Sequence, residues 1–396
     1  MAKFNIIVPP FTGHINPTLG LGKALLENGH QVVWISVEES LADLLPEGGE
    51  LMPIPRELIE SEKKKRQDAI DRANKNTTYG LDSLKFLYEE ILLPFNEFLL
   101  SILMSSLDKE SVDMIITDHQ VMAGAVAAKL KGIPYATSVT APAAIKVSDT
   151  LPQVYHWESE QVVKFQKKHG IDEDERIDIS QLATFVYTSR EFFGDKNMPE
   201  YYRFIGPVIN TRPNTVEFDW ELLSKTENPK VLVSIGTTFD HNLKLRFFEK
   251  VIEAFGNEQI TVILVTDPKL FETIPSNFIV QESVPQLELL SQVQAVICHG
   301  GFNTVSESLS NGLPLVVLPI AYDQSYVAGR VTDVNAGIRV NFNRFKPVQL
   351  REALWEVLRD KKYAANALTM RQSFIDAGGV NRAVSDLEEI LNIIKK

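Results

Sequence analysis

Short apolar runs alternate with amphipathic stretches along most of the chain. The runs are rich in Ile and Val, as is typical of strands buried in a parallel sheet, and several intervening stretches have helical spacing. This β-α-β order predicts an α/β protein with doubly wound parallel sheets. The runs lie at 3–8, 32–35, 112–117, 135–139, 184–188, 261–266, 278–280 and 295–298, and a further one begins at Lys230.

Other stretches lack a clear strand pattern. Residues 81–107 are helical in spacing and rich in large apolar groups, most of which we assign to the core. Residues 56–76 are strongly charged, with basic and acidic groups interspersed, and favour a solvated, mobile segment. Residues 140–180 are interpreted as loop. Thr12 to Pro17 is predicted to be a loop leading into a helix, with Pro17 in its first turn.

The length of the chain favours two domains. At 396 residues it exceeds what one hydrophobic core usually supports. A stretch without sustained periodicity follows residue 208 and predicts a linker between two similarly built halves. We expect a first domain at 1–210, a linker at 211–228, a second domain at 229–378 and a last helix at 379–396.

Composition narrows the function classes. Hydrophobic and charged contents of 44% and 23% are those of an ordinary globular protein. A formal charge of −12 argues against a nucleic-acid partner and gives no general attraction to anionic lipid. The single cysteine, Cys298, excludes an intrachain disulfide and a cysteine-built metal site. We find no secretory signal and no spanning apolar run, so we expect a cytoplasmic protein without a transmembrane segment.

The stretch from Val284 to Gln324 carries the strongest functional pattern. A buried strand at 295–298 is followed by Gly300-Gly301 and then by a predicted helix, with Asn303 or Thr304 as its cap. A strand, a glycine turn and a helix N-terminus together form an anion site. His299 and Asn303 add side-chain donors to it, and Glu307 can accept from a sugar hydroxyl. The pattern predicts a nucleotide-sugar site.

A second candidate site pairs His14 with Asp118. His14 lies between a strand end and a helix start, where the helix dipole favours a neutral imidazole that can accept a proton. Asp118 ends a parallel strand of the same predicted sheet, so the two side chains could meet and fix the imidazole tautomer. The structural alternatives are a packing role for His14 and a capping role for Asp118.

Both sites resemble those of family 1 UDP-dependent glycosyltransferases, especially the bacterial branch that glycosylates macrolides and other lipophilic small molecules. The Gly13-His14 loop with Asp118 is similar to the family's base and its partner. The resemblance implies the GT-B fold: two Rossmann-like, doubly wound parallel-sheet domains that face each other across a cleft, with the last helix returning to the first domain. The donor signature is carried by Pro285, Gln286, His299, Gly301, Asn303, Glu307, Gly312, Pro314, Pro319, Asp323 and Gln324.

The resemblance also assigns roles to residues. It implies that His299 and Asn303 hold the diphosphate, and that Glu307 holds the ribose. It places acceptor contacts in the first half, where we name Phe86, Leu87 and Ile91. Thr237 is expected near the diphosphate, Asp323 and Gln324 at hydroxyls of the transferred sugar, and the donor site is completed by Val284, Gln286, Gly301 and Thr304.

The sequence departs from the family at one position. Many members carry an aromatic residue that stacks on the uracil two positions before the Pro-Gln pair, and this chain has Ser283 there. A uridine nucleotide is therefore less firmly implied than the phosphate and ribose contacts. UDP-glucose is ranked first as donor, with UDP-galactose, UDP-N-acetylglucosamine and thymidine-diphosphate sugars behind it.

These observations predict an inverting hexosyltransferase. It would move a hexose to a hydroxyl of a polyketide, phenolic, terpenoid or carotenoid acceptor, with His14 as base oriented by Asp118. The sequence offers no clear second carboxylate for a covalent route, and no cofactor or metal is expected. The alternatives are a nucleotide-sugar epimerase, a lipid glycosyltransferase of the same fold, and a non-catalytic nucleotide-sugar-binding protein. Neither the acceptor nor the oligomeric state is readable from the sequence.

Overall fold

The computed structural model describes residues 1–76, 85–107, 112–145, 152–194, 197–209, 216–236, 241–321 and 323–396. The chain forms two compact units. The first comprises Met1–Ser189, Asp195–Asn210 and Ala377–Lys396, and the second comprises Arg190–Gly194 and Thr211–Asp376. The described part of the stretch expected to be a linker, 216–228, falls within the second unit.

The first unit is built on a parallel sheet. The described residues contribute seven strands in the order β3-β2-β1-β4-β5-β6-β7, all paired in parallel. Their bounds are β1 Lys3–Ile7, β2 Gln31–Ile35, β3 Glu50–Leu51, β4 Met114–Asp118, β5 Tyr135–Val139, β6 Thr184–Val186 and β7 Tyr202–Phe204.

Helices cover both faces of this sheet. They are α1 Thr12–Glu27, α2 Arg56–Asn76, α3 Leu93–Leu107, α4 Met122–Lys131 and α5 Pro152–Lys168, with a 3-10 helix at Glu39–Leu44 and a π-helical segment at Leu87–Leu92 before α3. One hydrophobic core lies between the sheet and helices α3, α4 and α5. A second core on the opposite face includes α1 and the buried indole of Trp34. Each large apolar side chain buried in this way contributes roughly 1.5–3 kcal/mol.

Two local predictions in this unit, for 12–17 and 140–180, were wrong, and the charged segment 56–76 is a helix with mostly exposed charges. The segment 12–17 is helical, because α1 begins at Thr12 and Pro17 lies in its second turn. The charged segment 56–76 is helix α2, whose side chains Ile59 and Ala69 are buried while most of its charges face solvent. Part of the expected loop 140–180 is helix α5, which buries Val154, Val162 and Phe165 at helical spacing.

The second unit, like the first, is built on a parallel sheet with helices. Six strands of the described residues form a parallel sheet in the order β10-β9-β8-β11-β12-β13. They are β8 Lys230–Ser234, β9 Thr261–Val265, β10 Phe278–Gln281, β11 Ala295–Cys298, β12 Leu315–Val317 and β13 Gly337–Arg339. The helices are α6 Arg190–Phe193, α7 Trp220–Ser224, α8 His241–Phe255, α9 Gln286–Leu290, α10 Phe302–Ser310, α11 Gln324–Asp333, α12 Pro347–Arg359 and α13 Lys361–Asp376, with a 3-10 turn at Pro268–Leu270.

The last helix, α14 Gly379–Ile394, belongs to the first unit and not to the unit that precedes it in sequence. Its buried face, Ala383, Val384, Leu387 and Leu391, joins the core that α1 also contributes to. Glu388 accepts a hydrogen bond from Nε2 of His30 at 3.0 Å. The predicted fold class, including the return of the last helix, is confirmed.

In both sheets the strand order reverses at one place, which creates a topological switch point. The reversal falls between β1 and β4 in the first sheet and between β8 and β11 in the second. Ligands of open α/β sheets bind outside the carboxyl ends of the strands at such points. Each unit therefore has one preferred position for a site, at the carboxyl edge of its central strands.

One helical stretch of the described residues, Leu87–Leu107, is long and apolar enough to cross a membrane by length and composition. Within its most apolar window 44% of the residues are buried, and core helices pass the same test. The expectation that the chain has no transmembrane segment stays a prediction.

Candidate functional site

His14 and Asp118 meet at the carboxyl edge of the first sheet. Asp118 is the last residue of β4, and His14 lies in the first turn of α1, which follows β1. Nδ1 of His14 lies 2.9 Å from Oδ2 of Asp118, within hydrogen-bond range. When Nδ1 carries the ring proton, it donates to the carboxylate, and Nε2 is then the nitrogen able to accept a proton.

Thr140 completes this group and was missed by the sequence analysis. Its hydroxyl donates to Oδ2 of Asp118 at 3.1 Å and lies 2.8 Å from Nδ1 of His14. Thr140 directly follows β5, which pairs with β4 in parallel. The rule that suggested Asp118, a polar residue at the carboxyl end of a neighbouring strand, would also have found Thr140.

The Asp118 carboxylate is buried, with 1% of its surface exposed. Burial alone would raise its pKa, but His14 and His119 beside it, and hydrogen bonds from His14 and from the backbone N–H of Gln120, hold the pKa below its ordinary value. Asp118 is therefore charged at neutral pH. A buried charge next to the imidazole stabilises the imidazolium that proton acceptance would form.

His119 lies near the other oxygen of the same carboxylate. Its Nδ1 is 3.4 Å from Oδ1 of Asp118, and its ring stacks on that of His14 with centroids 5.7 Å apart. Burial lowers the pKa of His119, so its ring is neutral at neutral pH. Potential metal-ligand atoms of His14, Asp118 and His119 lie within 4.8 Å of one another. The hydrogen bond between His14 and Asp118 already satisfies two of these side chains without an ion.

The anion-binding pattern of the second unit lies at the carboxyl end of β11. Gly300 has a φ of +86°, in the left-handed region that favours glycine, and turns the chain from β11 into α10. Gly301 is the N-cap of α10, and the described residues show no side-chain cap hydrogen bond at this position. The helix begins at Phe302, one residue before the predicted position, so Asn303 lies inside its first turn. Backbone N–H groups at this end are available to an anion.

His299 lies between two glycines at this helix end. A Cβ atom on Gly301 would come within 2.6 Å of its Nε2, and one on Gly236 within 3.1 Å of its Cε1. Burial lowers the pKa of His299 to about 4, against a smaller opposite effect of a hydrogen bond with the backbone of Ser234. The ring is therefore neutral at pH 7. It can donate a hydrogen bond to a phosphate but brings no positive charge.

Glu307 and Gln286 form a side-chain pair. Nε2 of Gln286 donates to Oε2 of Glu307 at 2.5 Å, and Glu307 is buried with 4% of its surface exposed. Gln286 begins α9 and Glu307 lies in the second turn of α10, so two helices fix the carboxylate. This arrangement orients a hydrogen-bond acceptor beside the N-terminus of α10.

Asp323 and Gln324 start helix α11, with Asp323 as the N-cap. Gln324 is buried, and its side-chain oxygen accepts from the backbone N–H groups of Ile320 and Ala321 at 2.9 and 3.0 Å. Its backbone oxygen lies 3.2 Å from where a Cβ on Gly300 would be. The structure thus brings this loop against the glycine turn and gives Gln324 a structural role in addition to the predicted one.

The remaining predicted residues lie as follows. Val284 packs against the hydrophobic core of the second unit, and Thr304 is half-buried in the first turn of α10. Thr237 lies outside the described residues. Of the expected acceptor contacts, Ile91 is buried in the core of the first unit, and Phe86 and Leu87 are half-buried.

Known glycosyltransferases are similar in sequence to this chain across both units. Residues 192–381 match the family model described as UDP-glucoronosyl and UDP-glucosyl transferase. The NDP-glycosyltransferase YjiC of Bacillus subtilis (strain 168) is 28% identical, over 99% of this chain and 98% of YjiC. The zeaxanthin glucosyltransferase of Pseudescherichia vulneris is 24% identical, over 99% and 98% of the two chains.

Solved structures share the fold. The glycosyltransferase VinC, crystallised in complex with dTDP, superposes with a TM-score of 0.75 at 16% identity, over 98% of this chain and 99% of VinC. The family match at 192–381 includes His299, Glu307 and Asp323, and the relatives named here align over nearly the whole chain. The chain is a glycosyltransferase; its residues 192–381 match the UDP-glucoronosyl and UDP-glucosyl transferase family model, and the whole chain is similar to bacterial natural-product glycosyltransferases.

Proposed function

We propose that the protein transfers a hexose from a nucleotide sugar to a hydroxyl group of a lipophilic small molecule. The observation that carries this proposal is the hydrogen-bonded group of His14, Asp118 and Thr140 at the switch point of the first sheet. A buried carboxylate that orients an imidazole is the arrangement a general base needs. A protein that only binds nucleotide sugars does not need a general base.

In the proposed reaction His14 acts as base. The acceptor O–H attacks the anomeric carbon of the donor sugar, a new C–O bond forms, and the bond to the diphosphate breaks. The acceptor proton moves to Nε2 of His14, and Asp118 stabilises the resulting imidazolium. Attack from the face opposite the leaving group inverts the anomeric configuration. We propose a single displacement of this kind.

The second unit would hold the donor. The diphosphate is expected at the N-terminus of α10, where backbone N–H groups, Asn303 and the neutral ring of His299 would donate to it. Thr237 and Gly301 are assigned to the same end. Glu307, held by Gln286, would accept from the ribose hydroxyls. Asp323 and Gln324 would contact the sugar, with Thr304 and Val284 completing the site.

Glucose carried by UDP is the donor we propose first. The family description and the zeaxanthin glucosyltransferase both name glucosyl transfer. The dTDP bound to VinC supports a thymidine nucleotide as the competitor. For the acceptor we propose a hydroxyl on a large apolar molecule contacted by the first unit, with Phe86 and Leu87 as candidate contacts and Ile91 behind them in the core.

Donor binding tests the second-unit assignment. Calorimetry with UDP-glucose, dTDP-glucose and UDP-N-acetylglucosamine, each with and without Mg²⁺, is compared for the wild type, Glu307→Ala and Glu288→Ala. Glu288 is an exposed neighbour on α9 and serves as the matched control. We expect UDP-glucose to bind most tightly and Glu307→Ala alone to weaken it. Absence of binding by every nucleotide sugar would refute the donor assignment.

Turnover tests the base. With the donor that binds best, a panel of phenolic, polyketide and carotenoid acceptors is screened for product, and the best acceptor is assayed with His14→Ala and with His156→Ala. His156 is exposed and is the control. We expect His14→Ala to lower kcat by roughly 10²–10⁴-fold without changing donor affinity. Retained turnover in His14→Ala would contradict the mechanism.

A further inference from the structure

Ser283 leaves the donor site without the aromatic side chain that the family signature would provide. Ser283 is exposed and lies between the end of β10 and Pro285, the N-cap of α9. A nucleobase gains much of its affinity from stacking on a flat side chain. If the site binds the base by stacking, a residue from another part of the chain must provide the flat surface.

An aromatic groove lies at the same end of β10. It is lined by Val216, Glu217, Phe218, Asp219, Trp220 and Gln281 and has a volume of about 610 Å³. The rings of Phe218 and Trp220 meet edge to face with centroids 4.9 Å apart. Trp220 lines the groove and keeps 38% of its surface exposed, which is unusual for an indole.

Two contacts connect this groove to the donor site. Nε2 of Gln281, the last residue of β10, donates to the backbone oxygen of Glu217 at 3.1 Å and so holds the segment at the carboxyl edge of the sheet. Phe218 packs against the same hydrophobic core as Val284, which follows Gln281 by three residues. The groove therefore lies at the carboxyl end of β10, where the chain continues through Val284 to Gln286.

Gln281 supplies an independent observation. Its side-chain oxygen is buried and has no hydrogen-bond partner among the described residues. A buried carbonyl oxygen without a donor costs free energy, so such an atom often marks a position where a ligand supplies the missing N–H. The N3–H group of uracil or thymine is a donor of this kind.

We propose that Trp220, supported by Phe218, provides the stacking surface for the pyrimidine base of the donor, in place of an aromatic residue at position 283. The inference rests on the proposed donor site and names the residues that recognise its base. Stacking tolerates different bases because each has a flat aromatic face. The groove therefore accepts uridine and thymidine nucleotides with similar affinity, and the family's usual uridine selectivity is relaxed.

UDP binding to the full-length protein tests this proposal. UDP is titrated into the wild type, Trp220→Phe, Trp220→Ala, Trp355→Phe and Glu307→Ala, and binding is followed by calorimetry and by tryptophan fluorescence. Trp355 is a half-buried tryptophan in α12 and is the matched control. Thermal unfolding of each variant shows whether its fold is retained. The wild type is also titrated with dTDP.

We expect Trp220→Ala to weaken UDP binding about tenfold. Trp220→Phe keeps most of the affinity but loses the fluorescence change, because the indole that reports on the base is gone. Trp355→Phe changes neither, and UDP and dTDP bind the wild type within about threefold of each other.

The outcomes separate the two proposals. If Glu307→Ala weakens UDP binding while Trp220→Ala binds like the wild type, the stacking assignment is overturned and the donor site stands. A preference of the wild type for one nucleotide well above tenfold would also overturn it. If the wild type binds neither nucleotide, the donor site itself is wrong, and the stacking assignment is refuted with it.

Discussion

At the scale of single residues, the Thr140 hydroxyl is the least expected part of the candidate base. It donates to Oδ2 of Asp118, the same oxygen that His14 contacts, so one oxygen atom receives both groups. Hydrogen bonds to a charged group contribute about 1.5–3 kcal/mol. Loss of the hydrogen bond from Thr140 should let the Asp118 carboxylate rotate away from the His14 imidazole.

We predict that Thr140→Val lowers kcat roughly 10–100-fold, as the loss of one such hydrogen bond implies, and leaves the donor Kd unchanged. Valine keeps the shape of threonine without its hydroxyl, and Thr140→Ser, which keeps the hydroxyl, is the control. Steady-state kinetics and donor calorimetry measure the two effects. Wild-type kcat in Thr140→Val would mean that β4 and α1 hold His14 and Asp118 together unaided.

His299 gives the second prediction at this scale, through pH. Its pKa is about 4 in the folded protein, below its ordinary value of 6.5. Between these pH values the unfolded chain binds a proton that the folded chain does not, so the free energy of unfolding decreases as pH falls from 6.5 toward 4. The largest loss attributable to this one residue is about 3 kcal/mol.

Replacing His299 by Gln should remove part of this pH dependence. We expect the free energy of unfolding to differ less between pH 7 and pH 4.5 in His299→Gln than in the wild type or in His156→Gln, in which an exposed histidine is replaced. Urea unfolding at the two pH values provides the comparison. An unchanged difference in His299→Gln would show that the ring titrates alike in the folded and unfolded chain.

At the scale of elements, the close approach of α4 to β4 positions Asp118. A Cβ atom on Gly124 would come within 2.1 Å of Oγ1 of Thr117, the residue before Asp118. The Thr117 hydroxyl in turn donates to the backbone oxygen of Val121 at 2.9 Å. The glycine thus lets the helix lie directly on the strand that ends in the Asp118 carboxylate, the proposed partner of His14.

We predict that Gly124→Ala is destabilising by about 1–3 kcal/mol, as overpacking of a well-packed core usually is, and that it lowers kcat by displacing the end of β4. Gly329→Ala is the matched control, because a Cβ on that helical glycine meets nothing within 4 Å. Thermal unfolding and turnover measure both effects. Loss of stability with full turnover would show that β4 moves without carrying Asp118.

Elements differ in how well the sequence predicts them. The central strands are recognisable because both of their faces are buried, which makes them short continuous apolar runs such as 295–298. Helix α2 was missed because its charged residues outnumber its few buried side chains. Helix α5 was missed because charged residues lie between its buried apolar positions and hide their helical spacing. The strand-end rule places Thr140 and Asp118 at the same edge of the sheet, but which atoms meet there depends on the register of the strands, which no local pattern contains.

At the scale of the whole molecule, the chain passes between the two units more than once. Arg190–Gly194 belongs to the second unit although its neighbours in sequence belong to the first, and α14 returns to the first unit at the end. In α14 the apolar side chains of Leu387 and Leu391 are buried, and Lys395 pairs with Asp113 at 2.9 Å. The first unit is therefore complete only when the last residues of the chain are in place.

The stability of the first unit should accordingly depend on the far end of the sequence. We predict that Leu387→Ala lowers the free energy of unfolding by about 2–5 kcal/mol, because it opens a cavity between α14 and the core shared with α1. Glu389→Ala, on the exposed face of the same helix, should change it by less than about 0.5 kcal/mol. Urea unfolding followed by tryptophan fluorescence measures both variants, and UDP calorimetry under native conditions tests the second unit separately.

UDP affinity should stay at the wild-type value in Leu387→Ala, since the proposed donor residues all belong to the second unit. Weakened UDP binding by a protein that is still folded would show that packing in the first unit controls the donor site as well.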